Sequence, residues 1–135
     1  VIALSPDAVP GLGYLRKTVT QLSSKMRFVS AQLNALYEGD LWRRSADHAN
    51  AMATRLRAGL DDLAAHSPED LRSIRIPYPT ESNLVLAYLP PEAVARARAQ
   101  FRFNDWPGEP GFVRFMCSFD TTPDDVDALL AALRG

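Results

Sequence analysis

The sequence predicts an α+β domain: two long N-terminal helices, then a β-α-β-β-α unit with a small antiparallel sheet. Three observations carry this. Two apolar seams of helical period fill residues 15–63, two strand-length apolar runs follow at 84–89 and 112–119, and proline-led helix starts stand at 90–91 and 122–123.

In the first seam Leu15, Val19, Leu22, Met26, Val29, Leu33 and Leu36 step by four and three. That pattern predicts one amphipathic helix of about 25 residues. Gly39-Asp40 ends it, with Asp40 placed to cap the next helix. The second seam runs Trp42, Ala46, Ala49, Ala53, Leu56, Leu60 and Leu63. Its alanines permit close approach of another element, and the short link predicts an antiparallel helical pair. After His66-Ser67-Pro68 the period changes. Residues 73–76 predict a short strand cut by Pro77 and Pro79, and the apolar run at 84–89 a second. Pro90-Pro91 opens a helix that continues to Gln100, since proline is tolerated in a first turn. A brief strand is expected at 101–103, a turn at WPGEPG (106–111) and the strongest strand at 112–119. Thr122-Pro123-Asp124-Asp125 is a helix start with cap, proline and acids in order. The closing helix carries Val126, Leu129, Leu130 and Leu133.

At 135 residues the chain has the size of one domain, and its 47% apolar and 23% charged residues are those of a soluble globular protein. A net charge of −1, with arginines scattered throughout, gives no electrostatic case for nucleic acid or an anionic membrane. No apolar run approaches the roughly 18 residues of a membrane helix, and VIALSP is too short for a secretory signal. Cys117 is the single cysteine, which excludes an internal disulfide and a multi-cysteine metal site. A reducing cytoplasm is the expected location. Val1 opens the chain in what reads as the middle of a strand, so a piece of a longer protein is expected.

Several residues could carry chemistry. His48 and His66 lack a second ligand at helical spacing, so structural or solvated roles are expected and no metal. Cys117, within FMCSF, reads as a buried, inert thiol. Asp124-Asp125 is explained by its place in a first helical turn. Lys25, in QLSSKMRF, resembles a Schiff-base lysine in local sequence. Such a lysine needs a desolvated or cation-crowded pocket, and no glycine-rich phosphate loop stands nearby. A charge flanking the apolar seam, in mid-helix, is the expected role. Arg27 lies away from the leucine seam among Thr20, Ser24 and Ala31, and reads as a solvated arginine or one that meets a phosphate or another part of a larger protein. Arg114 shares a strand face with Met116 and Ser118, while Val113, Phe115, Cys117 and Phe119 take the other. A mid-strand arginine is costly to bury without a fixed anion, and a carboxylate matches its planar fork. Two roles stay open for it: a structural or solvated charge, and an anion-binding group.

The runs YLRKTVTQLSSKMRFVSAQLNALYEGDLWRRSADHANAMATRLRAGL (14–60), ESNLVLAYLP (81–90) and VRFMCSFDTTPDDVDALL (113–130) resemble, in order and spacing, the C-terminal part of the bacterial low-specificity L-threonine aldolases. These are enzymes of the aspartate aminotransferase fold type, in the β-eliminating lyase group, that use pyridoxal phosphate. The resemblance implies cleavage of β-hydroxy-α-amino acids to glycine and an aldehyde, with the cofactor as electron sink. It implies a preceding large domain that holds the Schiff-base lysine, a cofactor-stacking histidine and a cofactor-pairing aspartate. Residues 1–10 would then be the remnant of that domain's last strand and a linker, and 11–135 the C-terminal small domain. Lys25 falls where many relatives carry glycine in a GGGMR-like run. Arg114 matches the arginine of an RLVTH-like strand that grips the substrate α-carboxylate. Arg27 matches the arginine of the MR pair, near the cofactor phosphate at the subunit interface. The histidine of the VTH run is replaced by Cys117 or Ser118, and Lys17 is left without a role. The implied partners are the large domain, other subunits of a homo-oligomer and an amino-acid substrate. Pyridoxal phosphate is expected in the intact enzyme, none is expected on this segment alone, and the segment alone is expected to be inactive. The alternative is a stand-alone β-α-β-β-α dimerisation or small-molecule-binding module.

Overall fold

The structure, a computed structural model, describes residues 5, 9–20, 23–67 and 70–135. The chain divides into two compact units, Val1–Leu41 and Trp42–Gly135. Most of residues 1–10, expected as strand remnant and linker, lie outside the described residues, as does Leu22 of the first seam.

In the first unit, α1 (Leu12–Thr18) and α2 (Met26–Tyr37) replace the single long helix that the seam predicts. The break falls where helix propensity is lowest. Thr18, Val19 and Thr20 are β-branched, and Ser23-Ser24 offer side-chain oxygens that compete with helical hydrogen bonds. Thr20 adopts a left-handed φ of 57°, and its N–H donates to the Lys17 carbonyl at 3.1 Å. Lys25 consequently sits at the N-cap of α2, with its N–H donating to Ser23 Oγ at 3.4 Å, and not in mid-helix. No residue of α1 or α2 is buried. The seam residues Val29 and Leu33 remain 45% and 51% exposed, so periodicity located an apolar face but not what covers it.

The second unit is built on α3 (Leu41–His66), which starts directly after Asp40. Its seam buries Ala49, Ala53, Leu56, Leu60 and Leu63, whereas Trp42 is 48% exposed. Three antiparallel strands follow: β1 (Leu84–Tyr88), β2 (Asn104–Trp106) and β3 (Glu109–Met116), in the order β1-β3-β2. Two helices complete the unit, α4 (Pro91–Arg98) and α5 (Pro123–Arg134). The fold is α+β, as the sequence predicts.

The core lies between one sheet face and the three helices. Val85 pairs with Phe115 and Ala87 with Val113 in register. All four side chains are buried in a cluster with Leu56, Leu60 and Leu63 of α3, Ala93 and Ala97 of α4, and Val126 and Leu133 of α5. Period-two alternation therefore delivers one apolar face, as for a sheet covered on that side. The opposite face carries an aromatic group, with Tyr88 stacked on Phe112 at a centroid distance of 4.3 Å.

Three elements depart from expectation. The strand at 73–76 contracts to a single bridge between Arg75 and Tyr88, because Pro77 and Pro79 each remove a ladder donor. The brief strand at 101–103 is displaced to β2: the Phe101 N–H closes α4 on the Ala97 carbonyl at 2.8 Å, and Phe103 turns inward against Phe115. β3 runs from Glu109 to Met116, and Phe119, past its end, is 69% exposed. The β2–β3 hairpin turns on Pro107-Gly108, with Gly108 at φ 83°, the pairing that a type II turn requires.

The start of α5 is as expected. Thr122 Oγ1 accepts from the Asp125 N–H at 3.1 Å while Asp125 Oδ2 accepts from the Thr122 N–H at 2.8 Å, a reciprocal capping box. These bonds from Thr122 hold the Asp125 carboxyl below its usual pKa. A depressed folded-state pKa contributes stability above the unfolded value and loses it as pH falls through the folded one. Thr122→Ala is expected to cost about 1 kcal/mol in urea denaturation at neutral pH. The difference between variant and parent should shrink in acid.

Candidate functional site

The site forms where β3 passes the N-terminal end of α5. Arg114 stands opposite Leu86 of β1 and Asn104 of β2, on the sheet face turned away from the buried Val113 and Phe115. It is partly buried and borders a pocket of about 260 Å³. Its lining is drawn from both sides of the sheet: Phe103, Phe115 and Leu129 from the core side, Asn104 and Met116 from the face of Arg114, with Thr121 and Asp125 at the start of α5.

Three contacts hold α5 and the turn before it against α3 and so set one wall. Arg55 donates to both oxygens of Asp127, from Nε at 3.0 Å and Nη2 at 2.7 Å. This pairing lowers the Asp127 pKa and raises that of Arg55. Both side chains are about half exposed, so geometry is the larger part of what the pair provides. His48 Nε2 meets the Thr121 carbonyl at 2.7 Å, which requires the Nε2–H tautomer if it donates. Gly59 permits close approach, since a Cβ there would stand 2.2 Å from Leu130 Cδ1.

Among the described residues Arg114 makes no ion pair and no side-chain hydrogen bond. Four arginines of the unit are engaged, Arg55 by Asp127, Arg57 by Asp61, Arg96 by the Leu133 carbonyl and Arg98 by Asp105, whereas Arg72, Arg102 and Arg134 are exposed and, like Arg114, make no ion pair or side-chain hydrogen bond among the described residues. Arg114 is thus a partly buried residue of the pocket lining whose side chain has no polar partner among the described residues. Asp125, on the same pocket, is held by Thr122.

Arg27 belongs to the other unit, in the first turn of α2, with its guanidinium 4.9 Å from the centroid of the adjacent Phe28 ring. That turn contains no acidic residue and no side-chain cap. Lys25 is exposed at the N-cap. Cys117 is buried, its thiol pKa raised by desolvation, which agrees with an inert thiol. His66 pairs with Asp62 at 2.9 Å. Among the described residues no group of three potential ligands could hold a metal ion, and no helix is long and apolar enough to cross a membrane.

Reading β3 alone misses Arg102 and Asn104. Both were legible in the hairpin's alternation: Asn104 is the register partner of Arg114, and Arg102 lies two positions earlier on the same parity. A strand expected at 101–103 in place of 104–106 hides this pairing.

No family model matches the chain. It is 34% identical over 135 residues to the low-specificity L-threonine aldolase of Pseudomonas aeruginosa, an alignment covering 99% of this chain and 36% of that protein. To the low-specificity L-threonine aldolase of a Pseudomonas species it is 37% identical over 122 residues, 90% of this chain and 33% of that one. The chain spans about a third of the length of the curated relatives it matches. Nearly the whole chain is thus similar to a stretch about one third the length of these low-specificity L-threonine aldolases.

Proposed function

We propose that the chain is the C-terminal small domain of a pyridoxal phosphate-dependent lyase of threonine aldolase type, cleaving β-hydroxy-α-amino acids to glycine and an aldehyde. The observation that carries the reading is Arg114, an unpaired arginine beside a pocket on a strand whose sequence resembles the aldolases' carboxylate-binding strand. In this role its fork takes the two oxygens of the substrate α-carboxylate and fixes the amino acid's orientation.

The first turn of α2 suits a phosphate. Its N-cap is Lys25, its second residue is Arg27, it holds no acid, and no side chain caps its free N–H groups. Those features make a positive helix pole, and Arg27 is the residue proposed to meet the cofactor phosphate. When bound, the cofactor would supply the electron sink that carbon–carbon cleavage needs. The residue that holds its aldehyde carbon is proposed to lie in the part of the relatives' length that this chain does not span. The segment alone is accordingly proposed to be inactive. The uncovered apolar residues of α2, Val29 and Leu33 among them, are proposed to face other subunits of a cytoplasmic homo-oligomer.

The test is to express the longer reading frame that contains this segment, supply pyridoxal phosphate and measure glycine released from L-threonine. Activity in the longer protein and none in the 135-residue chain is the expected result; activity in neither removes the reading. Within the longer protein Arg27→Ala is expected to weaken cofactor retention roughly tenfold, the scale of one charged hydrogen bond. Equilibrium dialysis against free cofactor measures it, and unchanged retention would remove Arg27 from the phosphate site.

A further inference from the structure

We propose that Met116 is a specificity-determining residue, so that the preferred substrates are β-hydroxy-α-amino acids with an uncharged, apolar β-substituent. The inference rests on the reading of Arg114 as the residue that holds the substrate α-carboxylate. Antiparallel partners share a sheet face, so the pairs Leu86–Arg114 and Leu84–Met116 place Leu84, Leu86 and Met116 on the face of Arg114. Asn104, the partner of Arg114 on β2, joins them there. These four neighbours are uncharged and three are apolar. An acid fixed by Arg114 therefore lies against a largely apolar surface, on which a charged β-substituent loses water and meets no counter-charge among these neighbours.

What already covers β3 sets the direction in which that substituent lies. Two residues before Arg114 on the same face, Phe112 is buried, stacked on Tyr88 at a centroid distance of 4.3 Å and met edge-on by Trp106 at 6.2 Å. Two residues after it, Met116 is 56% exposed. A strand rises about 3.3 Å per residue, so Met116 stands about 7 Å beyond Arg114 along this face. That separation suits a group on the β-carbon of an amino acid held by its α-carboxylate. Leu84, opposite Met116 and partly buried, widens the same wall. An unbranched thioether adjusts to substituents of different size, and the apolar area it covers grows from a β-methyl to a β-phenyl group.

The probes are L-threonine, with a β-methyl group, and L-β-phenylserine, with a β-phenyl group, cleaved by the longer protein supplied with pyridoxal phosphate. The phenylserine-to-threonine ratio of kcat/KM is expected to fall about fivefold in Met116→Gln, which keeps the length of the side chain and makes its end polar. Met116→Leu, close in volume and apolar, should keep most of the ratio. Met116→Ser repeats the polar contrast with a shorter side chain, and thermal melts establish that each variant keeps the parent fold. A ratio unchanged in both polar variants, or lowered as far by leucine as by glutamine, overturns the proposal. Arg114→Ala tests the underlying reading separately. A KM raised to a similar extent for both substrates keeps the carboxylate role, whatever Met116 does. A KM unchanged for both removes that role and this inference with it, as does cleavage of neither substrate.

Discussion

Leu60→Ala is expected to destabilise the second unit by about 2–5 kcal/mol, the range for truncating a buried leucine. Leu60 is fully buried at the centre of the α3 seam, in one cluster with residues from the sheet and both other helices. Truncation there opens a cavity bordered by several elements, none of which can move into it without leaving the others. The loss is large beside the roughly 5–15 kcal/mol that holds a domain folded, so a substantial unfolded fraction should be present in moderate urea. Leu60→Met, which nearly conserves volume, should cost less than about 1.5 kcal/mol. Urea denaturation followed by far-ultraviolet dichroism separates them. Equal midpoints for the two variants would mean that the α3 seam does not face a packed core. Leu33→Ala is a contrast, since Leu33 is 51% exposed and should lose little in the isolated chain.

That contrast marks the limit of what periodicity reveals. The seams of residues 15–36 and 42–63 are alike in spacing, yet the second is buried from Ala49 onward and the first is uncovered. Spacing encodes which face is apolar; burial depends on surface supplied elsewhere. The capping box at Thr122 was legible because it is local chemistry, with cap, proline and acid within four residues. Likewise, the inward set Val113, Phe115 and Cys117 follows from alternation alone. The break between α1 and α2 was written in Thr18-Val19-Thr20 and Ser23-Ser24, but seven apolar residues in step outweighed those weak signals. At the site, a lone arginine on β3 could be read as anion binder or solvated charge. What the structure adds is that Arg114 has no side-chain partner among the described residues, Asp125 being held by Thr122 and Asp105 by Arg98. No sequence pattern records it.

On the proposed reading, Arg114→Ala in the longer protein is expected to raise KM by about 10- to 150-fold, equivalent to roughly 1.5–3 kcal/mol for a lost hydrogen-bonded charge pair. The α-carboxylate keeps its charge through the cleavage of the Cα–Cβ bond. An arginine that holds it therefore stabilises bound substrate and transition state to similar extents, which places the loss in KM more than in kcat. Arg114→Lys should recover only part of the affinity, because an ammonium supplies charge without the paired, coplanar donors of a guanidinium. A purely structural arginine would give a different pattern. Its removal would lower thermal stability, and lysine would repair or worsen that without reference to substrate. The partly buried side chain has no protein partner to lose among the described residues, so both variants should melt close to the parent. A KM unchanged in Arg114→Ala would show that the carboxylate is gripped elsewhere. A KM increase accompanied by an equal fall in melting temperature for Ala and Lys would assign Arg114 to the fold. Only a KM that rises in the order Arg, Lys, Ala at constant melting temperature fits a residue that reads the substrate's acid group.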